Sequence, residues 1–218
     1  MIKHLRAGSV SKLIVFDLDG VLIDSKGIHF DALNEALESI DSVYTITHEE
    51  QENIYEGLPT KLKLNLLHKH KGLPEDNFDF VWQRKQDITS KMFADVKLDK
   101  DLIELLKVIK ENDISTAVAS NSIRKTIIEC LNGLGISEFI DHIVSNEDVH
   151  NPKPHPEMYW KAMSHFGAIC EDTVIFEDSL IGRTAALASG ATLASINSRI
   201  DLTSKLVLEY LNPKRKKI

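Results

Sequence analysis

Asp17 and Asp19 stand two residues apart, directly after the run Lys12-Leu13-Ile14-Val15-Phe16, and Gly20 follows them. Carboxylates can attack an electrophile, hold a cation or move a proton, and two so close together can divide those tasks. The apolar, β-branched run before them reads as a buried parallel strand. Its carboxyl end is where α/β sheets place their chemistry, and Gly20 lets the chain turn sharply just beyond.

Two further strand-like runs end in polar residues. Residues 114–119 lead into Ser120-Asn121, and residues 173–176 lead into Glu177-Asp178. Parallel strands bring such ends to one edge, so these groups should converge. Several carboxylates in one crevice repel each other and hold raised pKa values unless a cation joins them. Oxygen ligands without a His or Cys pairing point to Mg²⁺, and Mg²⁺ in turn implies a phosphate that fills its open positions. Lys153, held between Pro152 and Pro154, supplies positive charge. An ammonium about 4 Å from a carboxylate in a partly shielded site contributes on the order of 4 kcal/mol of attraction.

The elements that must position these groups follow from periodicity. After the first strand comes Asp24-Ser25, a helix cap, and then a long helical stretch with no strand-like segment. Ile28, Ala32, Leu33, Ala36, Leu37 and Ile40 share one helix face. Thr47 with Glu50 forms a capping box for a second helix, and Gly57-Leu58-Pro59-Thr60 breaks it to start a third. Gly72-Leu73-Pro74 opens a fourth. From residue 99 onward helices alternate with strands, one helix stopping at Gly133 and Gly135. That alternation predicts an α/β doubly wound parallel sheet with an all-α insertion after its first strand. The expected division is residues 1–22 and 96–218 as a discontinuous α/β core and 23–95 as a helical domain, with the first hinge at residues 20–22.

The 218 residues suffice for one large core plus a small second domain. A net charge of −7 argues against nucleic acid as the main partner. The exception is the basic run at residues 214–217, read as a solvated tail. Cys130 and Cys170 have unlike contexts and no metal spacing, which suits a reducing compartment. No signal-peptide-like or membrane-spanning stretch occurs, so a cytoplasmic protein without a membrane partner is expected.

Asp17-Leu18-Asp19-Gly20-Val21, Ser120, Lys153 and Glu177-Asp178 together resemble the four motifs of the haloacid dehalogenase-like hydrolase superfamily, in order and spacing. The insertion resembles that superfamily's helical cap. The resemblance implies that Asp17 is a nucleophile forming an aspartyl-phosphate, and that Asp19 is the general acid and then the base. It implies that Ser120, with Asn121, binds phosphoryl oxygens and that Lys153 balances charge. Asp17, Asp178, the carbonyl of Asp19 and, directly or through water, Glu177 would hold Mg²⁺.

Within the superfamily the chain is most similar to the β-phosphoglucomutase and sugar-phosphate phosphatase branch. His29 matches that branch's cap-hinge histidine, and Lys85 resembles a cap lysine of the mutase. The stretch Gly57-Leu58-Pro59-Thr60-Lys61 lies where the cap's specificity loop belongs, with Thr60 in place of the mutase's phosphate-gripping arginine. A mutase must hold a second phosphate while its sugar turns over, so that loss favours hydrolysis of a small phosphorylated substrate; the resemblance to small capped enzymes implies a monomer. The alternatives are a sugar phosphomutase and a binding module that has lost catalysis. His68, His70, His142 and His165 show no ligand pattern and are read as surface or core.

Overall fold

The computed structural model describes residues 12–211. The N-terminal stretch at 1–8 and the basic run at 214–217 lie outside the described residues. Strands β1 (Leu13–Phe16), β2 (Ser115–Ala119), β3 (His142–Val144), β4 (Thr173–Glu177) and β5 (Thr192–Ser195) form one sheet in the order β3-β2-β1-β4-β5. Every pairing is parallel. All four residues of β1 are fully buried, which explains its unbroken apolar run. Alternation then divides them. Ile14 and Phe16 join a core on one face of the sheet, while Leu13 and Val15 join a separate core on the other.

The helices follow in chain order. Four lie between β1 and the rest of the sheet: α1 (Lys26–Glu38), α2 (His48–Glu50), α3 (Thr60–Lys71) and α4 (Phe78–Ala94). Then come α5 (Lys100–Glu111), α6 (Arg124–Leu134), α7 (Glu157–Phe166), α8 (Leu180–Ser189) and α9 (Ser204–Leu211). α5, α6 and α9 contribute to the core containing Phe16; α7 and α8 pack on the face of Leu13 and Val15. The inserted helices bury a third core of their own, built on Leu33, Leu37, Tyr55, Leu64 and Val81. Phe93, near the end of α4, instead belongs to the sheet's core and ties the two together. Among the described residues no helix is long and apolar enough to cross a membrane.

Four local expectations are altered. The Thr47–Glu50 capping box is present in both directions, but its helix gives way after three residues to a wider turn at Gln51–Tyr55. α6 runs through Gly133 and ends only at Gly135, whose φ is +72°. Gly133 is needed for closeness, because a Cβ there would meet the Phe93 carbonyl at 3.2 Å. Ser25 occupies the cap position of α1 without capping it, its hydroxyl donating to Asp19 instead. Finally, Gly20, Leu22 and Ile23 close a tight hydrogen-bonded turn on Leu18 and Ile23, with Val21 and Leu22 fully buried. Val21, Leu22 and Ile23 thus stay in the sheet's core, one residue beyond the expected 20–22.

Candidate active site

Strand register sets the site. Phe16 pairs with Val118 on one side and Phe176 on the other, so Asp17 emerges level with the ends of β2 and β4. Its backbone N–H continues the ladder to the Phe176 carbonyl (3.0 Å). Asp17, Glu177 and Asp178 each bring a carboxylate oxygen within 4.8 Å of the others. All three are buried.

Lys153 holds this acidic group together. Its ammonium, 3% exposed, donates to Asp17 Oδ1 (2.6 Å), Glu177 Oε1 (2.5 Å) and the Ala119 carbonyl (2.8 Å). An ammonium has three protons, and all three are placed. Tyr159, on α7, donates its hydroxyl to the same Glu177 oxygen, and its ring lies 5.1 Å from the ammonium. Burial opposes the charge on Lys153, but Asp17 and Glu177 outweigh it and raise the pKa. Asp17 is pushed well above the usual carboxylate range, first by burial and then by Glu177. Asp178 is raised by burial too, against the pull of Lys26. Three desolvated acids faced by Lys153 and by Lys26, which Glu56 shares, call for further positive charge.

The donor set fits a hard divalent cation. It is all oxygen, and Asp178 Oδ1 and Glu177 Oε2 are buried without a hydrogen-bond partner. Two glycines keep these carboxylates close. Gly20 has φ +86°, and a Cβ there would fall 2.1 Å from Asp178 Oδ2. A Cβ on Gly182 would likewise fall 2.0 Å from Glu177 Oε2. Gly20→Ala is therefore expected to displace Asp178, weakening the affinity of this carboxylate cluster for a divalent cation by about 10–100-fold. It should also lower stability by about 1–2 kcal/mol through backbone strain. Magnesium titration and thermal melts read the two effects, and an unchanged metal affinity would refute the first.

Asp19, two residues from Asp17, belongs to a different network. Its Oδ1 accepts from Ser25 and from His29 Nε2 (2.9 Å), and its Oδ2 from Ser122 (3.3 Å). Lys85 lies 3.1 Å from His29 Nδ1. An ammonium can only donate, so Nδ1 accepts and the Nε2 proton points at Asp19. Burial alone would raise Asp19, but His29 and Ser25 overcome it and hold the carboxyl far below its ordinary value. Burial and Lys85 lower His29, keeping the ring neutral. The two aspartates are thus electrostatically unlike.

A cavity of about 610 Å³ opens between the sheet edge and the inserted helices. Asp17, Asp19, Ser120, Asn121, Lys153 and Asp178 line it from the core, and His29, Gly57, Thr60, Lys61 and Lys85 from the insertion. Ser120 is buried, and its hydroxyl accepts from the Ser122 N–H (3.0 Å). The Asn121 side chain is bonded within the protein. Its side-chain amide donates to the Gly57 carbonyl (2.8 Å) and to the Lys153 carbonyl (3.3 Å), and its Oδ1 accepts the Lys153 N–H (3.1 Å). It clasps the insertion to the core. Lys61 is exposed at the rim, and Glu177 is too deeply enclosed to line the cavity at all.

Residues missed by sequence reasoning complete the site. Lys26 bridges Asp178 Oδ2 (3.0 Å) and Glu56 (2.7 Å). Lys63, buried, lines the cavity from α3. Helical spacing carried a signal for both: Lys26 precedes His29, and Lys63 follows Thr60, by three residues. Of the unassigned histidines, His68 bonds the Leu73 carbonyl and His142 stacks on His165.

The sequence profile of the haloacid dehalogenase-like hydrolases matches residues 14–196. A "Phosphorylated carbohydrates phosphatase" of Thermotoga maritima is 28% identical over 178 residues, covering 81% of each chain. A "Phosphoglycolate phosphatase" of Photorhabdus laumondii is 29% identical over 82% of this chain and 77% of its own. The fold is that of the crystal structure of β-phosphoglucomutase from Clostridium difficile, with TM-score 0.79 and 21% identity over 94% of this chain and 98% of the other.

Proposed function

This chain belongs to the haloacid dehalogenase-like hydrolase family, and from that premise we propose that it hydrolyses a small phosphomonoester with Mg²⁺. The observation that carries the reading is the division of labour between Asp17, paired with Lys153 among the metal-ready carboxylates, and Asp19, held on a separate proton network. Its curated relatives named as phosphatases of phosphorylated carbohydrates and of phosphoglycolate support the same reaction class.

Asp17 attacks phosphorus, and the bond from phosphorus to the leaving oxygen breaks. Asp19, with the His29 Nε2 proton on its Oδ1, serves as the general acid for that oxygen. The aspartyl-phosphate is then opened by water, whose proton Asp19 takes back, and phosphate leaves. Lys153 neutralises charge at Asp17, and Ser120 faces the phosphoryl oxygens. Asp17, Asp178 and Glu177 would hold Mg²⁺, with the Asp19 carbonyl as the fourth protein ligand, and the bound ion would supply charge neutralisation at the phosphoryl group. The helical block 23–95 acts as a cap that excludes water and selects the leaving group.

Phosphate release from p-nitrophenyl phosphate tests the class: activity should require Mg²⁺ and vanish with excess chelator. Independently of turnover, Mg²⁺ at one hundred times its Kd should stabilise the fold by about 2.7 kcal/mol. That corresponds to a rise in Tm of roughly 5–11 °C for a chain of this size. No shift in Tm would remove the metal from the proposal. A second reading, transfer of a phosphoryl group between two positions of one sugar, draws support from the two buried cap lysines at the cavity, Lys63 and Lys85. Incubation with β-glucose 1-phosphate separates the two: glucose 6-phosphate accumulates with a mutase and free phosphate with a phosphatase.

A further inference from the structure

Lys63 is 7% exposed, as is Lys85, and both line the cavity. A buried ammonium without a counter-charge costs several kcal/mol. Yet no hydrogen bond or ion pair within 4 Å holds the Lys63 side chain among the described residues. The two carboxylates close enough to attract it are Asp19 and Glu56. Both are committed elsewhere, Asp19 to Ser25, His29 and Ser122, and Glu56 to Lys26. Lys85 has only the neutral ring of His29 as its partner, and Lys63 is among the charges that oppose its own. This end of the cavity therefore holds two ammonium groups whose nearest carboxylates are both engaged elsewhere.

We propose that Lys63, together with Lys85, forms a second anion subsite, so that the leaving group of the substrate carries a carboxylate or a second phosphoryl group. The reading rests on the phosphatase function above and deepens it. It also answers the loss of an arginine at position 60. Lys63 sits one helical turn beyond Thr60 on the same face of α3, so a cation reaches the cavity from the next turn. Burial draws Lys63 down to about 8 and Lys85 to about 7. A bound anion would favour the charged form of both.

Two pairs of esters matched in size test this: 2-phosphoglycolate against ethylene glycol monophosphate, and glucose 1,6-bisphosphate against glucose 1-phosphate. A hydrogen-bonded charge pair is expected to favour the charged member of at least one pair by roughly 10–100-fold in kcat/KM. Which pair shows the preference distinguishes carboxylate from phosphate. Lys63→Met should bring that ratio to within about threefold of unity by slowing the charged ester alone, while Lys63→Arg retains it. The same pairs titrated by calorimetry into Asp17→Asn read the preference without turnover. A ratio near one for both pairs, in kinetics or in calorimetry, overturns the subsite, as does a ratio unchanged in Lys63→Met. Phosphate release from none of the esters, with a calorimetric preference intact, overturns the phosphatase reading and leaves the subsite standing. Should Lys63→Met fail to fold, Lys63→Gln carries the same comparison.

Discussion

Replacing Asp17 with asparagine is expected to lower phosphate release by about 10⁴-fold or more while leaving the fold intact. Asparagine has nearly the same volume and still offers an oxygen to Lys153, which keeps its bonds to Glu177 and the Ala119 carbonyl. What it lacks is the anionic oxygen that bonds to phosphorus. The exchange also removes one of three clustered carboxylates whose charge burial opposes. The metal-free variant should therefore melt at or above the wild-type temperature. Activity within tenfold of wild type would refute the nucleophilic role.

Lys153→Met is expected to harm both fold and function. Methionine fills the space but leaves Asp17 and Glu177 facing each other with no cation between them. Breaking a buried ion pair on one side typically costs about 3–5 kcal/mol, which lowers Tm by roughly 6–20 °C at this chain length. The deficit has a pH signature. Asp17 is already raised in the folded protein, and Lys153 is the group that restrains the rise. A carboxyl whose folded pKa exceeds its unfolded value takes up protons on folding, so stability falls as pH climbs above about 4, the unfolded value. In chelator, the gap between wild type and Lys153→Met should thus be small at pH 4 and wide at pH 8. Adding Asp17→Asn should recover part of the loss, a coupling that a double-mutant cycle measures. A gap independent of pH would mean that packing, rather than charge, accounts for it.

The acidic edge was legible because fully buried parallel strands leave an unmistakable trace. Leu13-Ile14-Val15-Phe16 and Thr173-Val174-Ile175-Phe176 are apolar on both faces, so the polar residues ending them stand out. Family resemblance then distinguished Asp17 from Asp19 before any hydrogen bond was visible. Periodicity was a poorer guide where one residue serves two purposes. Tyr159 reads as an apolar position of α7, and it is fully buried as expected. Nothing in a 3.6-residue repeat indicates that its hydroxyl ends on Glu177. Ser25 has the composition of a helix cap, and only the fold of the turn before it directs its hydroxyl to Asp19. Lys26 and Lys63 belong to the same class. Their partners and surroundings come from the docking of the insertion on the sheet, a tertiary fact with no local sequence correlate beyond helical spacing.

The first turn of α1 has a consequence for how the insertion is tied to the acids of the sheet edge. Lys26 and His29, one turn apart, reach across to Asp178 and Asp19, while Asn121 reaches the other way to the Gly57 carbonyl. A displacement of that turn would take Lys26 off Asp178 and the His29 hydrogen bond off Asp19 together, while Lys153 stays on Asp17 and Glu177.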